Sequence, residues 1–268
     1  VTRAPCPLVA VDPTIASSYA RTGGTSGPRA GLLPLAQLAA GVATPDTAAA
    51  LGALDRALRE AGGDFRVTEL HRNVGVQQAA RAKYDRWIAA GKPARGSARF
   101  DAATMKADFV AVPGRSMHNA GRAIDVHLAA LAFPGVPADR QLDRLWDLAQ
   151  PLGWSAVISA PNERASEAWH FDFWGDLRGI KARLGYEQAA FAGALLVGHA
   201  GAGTSWASVT QALLQRAGQD IGAIDGAFGP RSRAALATAL GLSPAKVVGY
   251  MQRGDAAIWP ALAALPAS

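Results

Sequence analysis

Ser116-Met117-His118-Asn119-Ala120-Gly121-Arg122-Ala123-Ile124-Asp125-Val126 is the stretch from which the architecture can be read outward. Gly121 supplies a bend, and over 123–128 the side chains alternate as along a half-buried strand. His118 and Asp125 are seven positions apart. They face one cavity if the histidine ends a loop and the aspartate sits on the strand that follows. A second stretch, Glu167-Ala168-Trp169-His170-Phe171-Asp172-Phe173, opens another strand over 168–173 and sets a carboxylate three residues before an imidazole. Further strands are expected over 65–70 and 154–158. Leu51, Leu54 and Leu58 give a helix over 47–60, stopped by Gly62 and Gly63. A second helix over 77–90 puts Tyr84, Trp87 and Ile88 on one face. A third over 142–149 ends at Pro151 and Gly153. Residues 91–114 read as a long loop containing a short helix and leading to Pro113-Gly114. Strands and helices mix without a regular βαβ repeat, so the expected class is α+β.

The chain has 268 residues, half of them apolar and 18% charged, which is enough for a buried core and excludes a fibrous or broadly disordered protein. The formal charge of +6 is carried mostly by arginine. A polyanion would be attracted to it, and so would nothing in particular if arginine merely fills surface positions. No basic run interleaved with aromatics and no nucleic-acid-binding signature is present, so nucleic acid is not an expected partner. The longest apolar run, 189–197, is far too short for a membrane span of about 20 residues. Cys6 is the only cysteine; it allows no internal disulfide and no cysteine-based metal site.

The histidines and carboxylates carry the chemistry. Neutral imidazoles with one carboxylate suit zinc, and three protein ligands leave a fourth position for water. His118, Asp125 and His170 are the candidate ligands, with His127 as a rival because it lies two residues beyond Asp125 on a strand. Glu167, beside a ligand without needing to be one, is the candidate general base. Arg72 would steady an oxyanion or a substrate carboxylate. His71 reads as a strand-end residue and His199 as a solvated one.

Ser116-x-His118-x-x-Gly121-x-Ala123-x-Asp125, followed by Glu167-x-Trp169-His170, resembles the signature of the zinc D-Ala-D-Ala carboxypeptidases and dipeptidases, a family that includes phage L-alanyl-D-glutamate endolysins. The resemblance covers roughly residues 50–180 and implies a small antiparallel sheet flanked by helices. It implies Zn2+ on His118, Asp125 and His170 with Glu167 as base, and it demotes His127 to a neighbour. It further implies roles for Arg72 on the intermediate and for Ser116, Gln77 and Trp169 in substrate binding. His71-Arg72-Asn73 departs from the family's Tyr-Arg-Ser, and Ala168 stands where proline is usual, which bears on specificity.

Residues 1–30, rich in Pro, Gly, Ser and Thr, are expected as an extended arm, 31–198 as the zinc peptidase domain and 199–205 as a linker. Residues 206–268 are expected as a three-helix all-α unit with helices over 209–217, 232–240 and 245–251. Its Asp225-Gly226-Ala227-Phe228-Gly229 and preceding Leu214-Gln215 resemble a peptidoglycan-binding domain, with Asp225 turning the chain, Phe228 anchoring the loop and Ser232 capping the next helix. The expected activity is hydrolysis of peptidoglycan stem peptides, foremost as a D,D-carboxypeptidase, with an endopeptidase (endolysin or secreted toxin) and a non-catalytic wall-binding protein as alternatives. A monomer is expected, in the periplasm, the cell envelope or the exterior, although no signal peptide is visible in this chain.

Overall fold

The computed structural model describes residues 4–11, 15 and 41–268. Most of the expected arm, and residues 31–40, lie outside the described residues. Its described part is not free: Val9–Ala10 (β1) pairs antiparallel with Val42–Ala43 (β2).

The first helix, α1 (Pro45–Glu60), starts with proline at its first position, where no amide is needed. The Asp46 carboxylate accepts from the Thr44 hydroxyl and the Thr47 amide. The helix ends before Gly62, whose φ of +69° the turn requires. Four short strands follow: β3 (Val67–Glu69), β4 (Ala123–Val126), β5 (Trp154–Ala156) and β6 (His170–Phe173). They form one sheet in the order β3-β4-β6-β5 with every neighbouring pair antiparallel. The fold is α+β, as the sequence indicated.

The register divides the sheet into two unlike faces. Val67, Ile124, Val126, Trp154 and Phe171 point into a buried apolar cluster. Leu51, Leu54 and Leu58 of α1 cover it, together with Leu142, Leu145 and Trp146 of α3 (Gln141–Ala149). On the other face Asp125 lies opposite His170, and Ser155 opposite Asp172. A period of two therefore collects the polar chemistry on one side.

The helix α2 (Val74–Ala89), between β3 and β4, buries only Gln77. Ile88 is exposed, and Tyr84 packs instead on Trp87 and Phe109, at 5.8 and 5.9 Å between ring centroids. The apolar face of α2 thus meets the 91–112 loop rather than the core. That loop contains turns and no helix. Asp101 takes up the backbone amide of Ala103 and the hydroxyl of Thr104, a local arrangement that competes with helix extension.

Beyond β6 the chain is helical: α4 (Arg178–Leu184), α5 (Tyr186–Leu196), α6 (Trp206–Arg216), α7 (Pro230–Leu240), α8 (Pro244–Arg253) and the short α9 (Trp259–Ala263). Residues 189–196 of α5 are all buried. They belong to a second apolar cluster that runs from Met117, Ala120 and Ala123 through Leu177 to Leu213 and Leu236. A Cβ on Gly193 would lie 2.6 Å from the Ala120 methyl, so α5 is seated directly on the loop that carries His118. Among the described residues no single helix is long and apolar enough to cross a membrane.

In the last helices Gln211 is the organising side chain. Its amide donates to Asp225 at 2.9 Å and accepts from the Gly226 amide at 2.8 Å, which holds the turn between α6 and α7. Phe228 stacks edge-on against Trp206 at 4.9 Å. Ser232 does not cap α7: Gly229 occupies that position with no side-chain bond, and Ser232, inside the first turn, is reached by Gln211.

Candidate active site

His118 sits in a tight turn, in which the Asn119 amide donates to Ser116 O and the Gly121 amide to His118 O. Gly121 has φ +66°, and a Cβ there would come within 2.6 Å of Leu8, so glycine meets both a backbone and a packing demand. The turn feeds β4, which presents Asp125, and Asp125 faces His170 across the β4–β6 pair.

The three ligand-type atoms converge. Asp125 Oδ1 lies 3.1 Å from His118 Nε2 and 2.9 Å from His170 Nδ1, and the two imidazole nitrogens are 3.2 Å apart. The rest of each ring is fixed from behind. His118 Nδ1 donates to the Leu70 carbonyl at 2.6 Å, and His170 Nε2 donates to Asp172 Oδ1 at 2.9 Å. These bonds hold one ring proton of each imidazole on the far side, so that the converging nitrogens are the ones left to act as metal ligands. All three residues are buried, and the trio is a cluster that could hold a metal ion. Burial opposes protonation of His170, but Asp172 and Asp125 outweigh it and push the imidazole up to about 10. Asp125 is also buried, yet the two imidazoles hold its carboxyl well below the usual range. The proton that His170 Nδ1 shares with Asp125 in this arrangement is the one a bound cation would replace.

Glu167 opens the turn into β6, with the His170 amide bonded to its carbonyl at 3.0 Å. Its φ of +67° is a left-handed conformation that a non-glycine residue rarely adopts. Such strain is held where the surrounding structure demands it, as at reactive sites. Burial, helped by Asp125, raises the Glu167 pKa against the opposing pull of His170, His118 and Arg72. A carboxylate raised in this way takes a proton more readily than an ordinary one.

Arg72 lines the same cavity, with Nε 2.5 Å from Glu69 Oε1, Nη2 on the other Glu69 oxygen, and Nη1 2.8 Å from Gln77 Oε1. Gln77, expected at the substrate, is instead fully buried and does not line the cavity. Its amide bridges Arg72 and the Ala111 carbonyl, so it positions the guanidinium. Ser116 and Trp169 do line the cavity, which encloses about 1220 Å³. His127 lies beyond the end of β4, outside the trio.

Two histidines differ from their sequence reading. His71 is buried, and its ring meets that of His199 edge-on at 4.4 Å. His199 is accordingly half-buried rather than solvated. Sequence reasoning also passed over Glu69, Asp172 and Tyr186. Asp172 carried a signal, since two residues beyond His170 on a strand means the same face. Glu69 becomes relevant only through its pairing with Asp125, and Tyr186 only through the path of the chain after β6.

A sheet that gathers two imidazoles, a carboxylate and a separate raised glutamate at one cavity defines a hydrolase-type site with room for a metal ion. Residues 42–176 match the family model VanY, D-alanyl-D-alanine carboxypeptidase, and the chain belongs to that family. A comparison with curated proteins gave no match.

Proposed function

We propose that the protein is a zinc-dependent peptidase that cuts stem peptides of bacterial peptidoglycan, foremost releasing a terminal D-Ala. The observation that carries this reading is the convergence of His118 Nε2, Asp125 Oδ1 and His170 Nδ1 beside Glu167 in one cavity. Two imidazoles and a carboxylate, each imidazole proton turned away, fit zinc's preference for nitrogen and oxygen donors with one position left open. Bound there, zinc would supply Lewis acidity toward the scissile carbonyl and make water more acidic.

The chain's own residues supply the remaining steps. Glu167 takes the proton of the attacking water and hands it to the departing amine. Arg72, fixed by Glu69 and Gln77, presents a guanidinium toward the charge that develops on the carbonyl oxygen. Ser116 and Trp169 contact the peptide. In this reading Asp225 and Phe228 belong to a helical unit that retains the enzyme on the wall, and a wall substrate calls for work in the envelope or outside the cell. The size of the cavity, above the usual range of about 300–1,000 Å³ for small ligands, favours a second mode as well, endopeptidase cleavage of a longer peptide.

Mass spectrometry of digests of defined stem pentapeptides and cross-linked muropeptides tests the proposal. Loss of one D-Ala identifies a carboxypeptidase, and internal fragments identify an endopeptidase. Glu167→Ala is expected to lower kcat about 10²- to 10⁴-fold with zinc still bound. Equal activity of variant and wild type would leave a wall-binding protein in place of the enzyme.

A further inference from the structure

His170 is held from behind by a chain of groups that continues past the catalytic strand. Its Nε2 meets Asp172 Oδ1 at 2.9 Å, and the same oxygen accepts from the Tyr186 hydroxyl at 3.4 Å. Asp172 is only 1% exposed. A carboxylate that deep needs donors, and among the described residues its side chain has these two. Tyr186 is the first residue of α5, and its ring rests edge-on against Trp174 at 5.2 Å. Gly185, just before it, has φ +82° and ψ 179°, a conformation essentially reserved for glycine. The chain is thus bent sharply so that the first side chain of the helical segment reaches back to the sheet.

We infer that Tyr186 and Asp172 form a positioning pair for His170, so that the metal site is completed by a residue beyond position 176. This rests on the proposed zinc chemistry. Asp172 fixes the ring and makes its Nδ1 a better donor, and Tyr186 fixes Asp172. Because the hydroxyl comes from α5, the site depends on where the helical segment is seated, and the region outside the family match takes part in the chemistry.

Zinc affinity of the full chain, measured at one pH by competition with a chromophoric chelator, reads this directly. Tyr186→Phe keeps the ring on Trp174 and removes one hydroxyl, so a packing role alone would leave affinity unchanged. The expected result is a loss of about threefold to tenfold, and about ten- to hundredfold for Asp172→Asn. Gly185→Ala, which deletes no polar group, should weaken zinc binding by shifting Tyr186. Wild-type affinity in Tyr186→Phe, whatever Asp172→Asn does, overturns the inference while leaving the peptidase reading intact. Wild-type protein that binds zinc but cleaves no stem peptide sinks the peptidase reading, and the affinity series still decides the role of Tyr186. Absence of zinc binding by the wild type overturns both.

Discussion

His71 lies one residue before Arg72 and is buried, with its Nε2 lacking a hydrogen-bond partner among the described residues. Burial foremost, then the neighbouring His199 and His118, lowers its pKa to about 4. In the unfolded chain the same group titrates near 6.5. Between these values the unfolded chain binds the extra proton, so the fold is favoured fully above about pH 6.5 and loses that advantage as pH falls toward 4. The loss is on the order of 3 kcal/mol at most, from about 1.4 kcal/mol per pH unit. Urea denaturation of the metal-free protein at several pH values should show this slope, and His71→Leu should flatten it. An unchanged slope in the variant would assign the acid sensitivity elsewhere. At this scale the sequence was informative where chemistry forces spacing. His118, Asp125, His170 and Glu167 stand within two short motifs, and those motifs mark turns entering strands. It was uninformative where a role depends on a partner distant in sequence: Gln77 looked available to substrate until Arg72 and Ala111 filled its hydrogen bonds.

Among the elements, those with a one-sided environment could be read and those with a uniform environment could not. Leu51, Leu54 and Leu58 repeat at helical spacing because α1 has one buried stripe. The strands β4 and β6 alternate because one face is core and the other is site. By contrast α5 is buried over 189–196 on every side, so its run Ala189-Ala190-Phe191-Ala192-Gly193-Ala194-Leu195-Leu196 has no polar face to set a period. Gly193 is the contact that fixes its seat, since a Cβ there would meet Ala120 at 2.6 Å and Leu177 at 2.8 Å. The Ala120 methyl has no rotamer that would move it aside, and the Leu177 chain end is fully buried among its neighbours. Gly193→Val should therefore destabilise the protein by about 1–3 kcal/mol in urea titrations, the usual cost of overpacking. It should also weaken zinc binding, because Ala120 is two residues from His118. Full stability in the variant would mean that α5 is not wedged there.

On the scale of the whole molecule, a charge network centred on one buried arginine joins parts of the chain that are remote in sequence. Arg122, 4% exposed at the head of β4, donates to Asp46 of α1 at 2.7 Å and to Asp176 after β6. Asp176 in turn accepts from Arg216 of α6. The apolar cluster follows the same route, from Met117 and Ala120 across α5 to Leu213. Sheet and helices are thereby coupled through both charge and packing. Removing one partner of a fully buried ion pair costs about 3–5 kcal/mol, and solvent reduces that cost here because Asp46 is 39% and Asp176 21% exposed. Arg122→Ala leaves Asp46 and Asp176 without that guanidinium while Asp176 keeps Arg216, so a loss of about 1–3 kcal/mol is expected in thermal and urea unfolding. Arg122→Met with Asp46→Asn and Asp176→Asn removes the charges together and should recover much of it. Shared packing further requires that tryptophan fluorescence, far-ultraviolet circular dichroism and zinc release follow one coincident transition. Two resolved transitions in the wild type, with only the earlier one sensitive to Arg122, would mean that the helices fold without the sheet. The position of Tyr186 would then be set before the metal site forms rather than together with it.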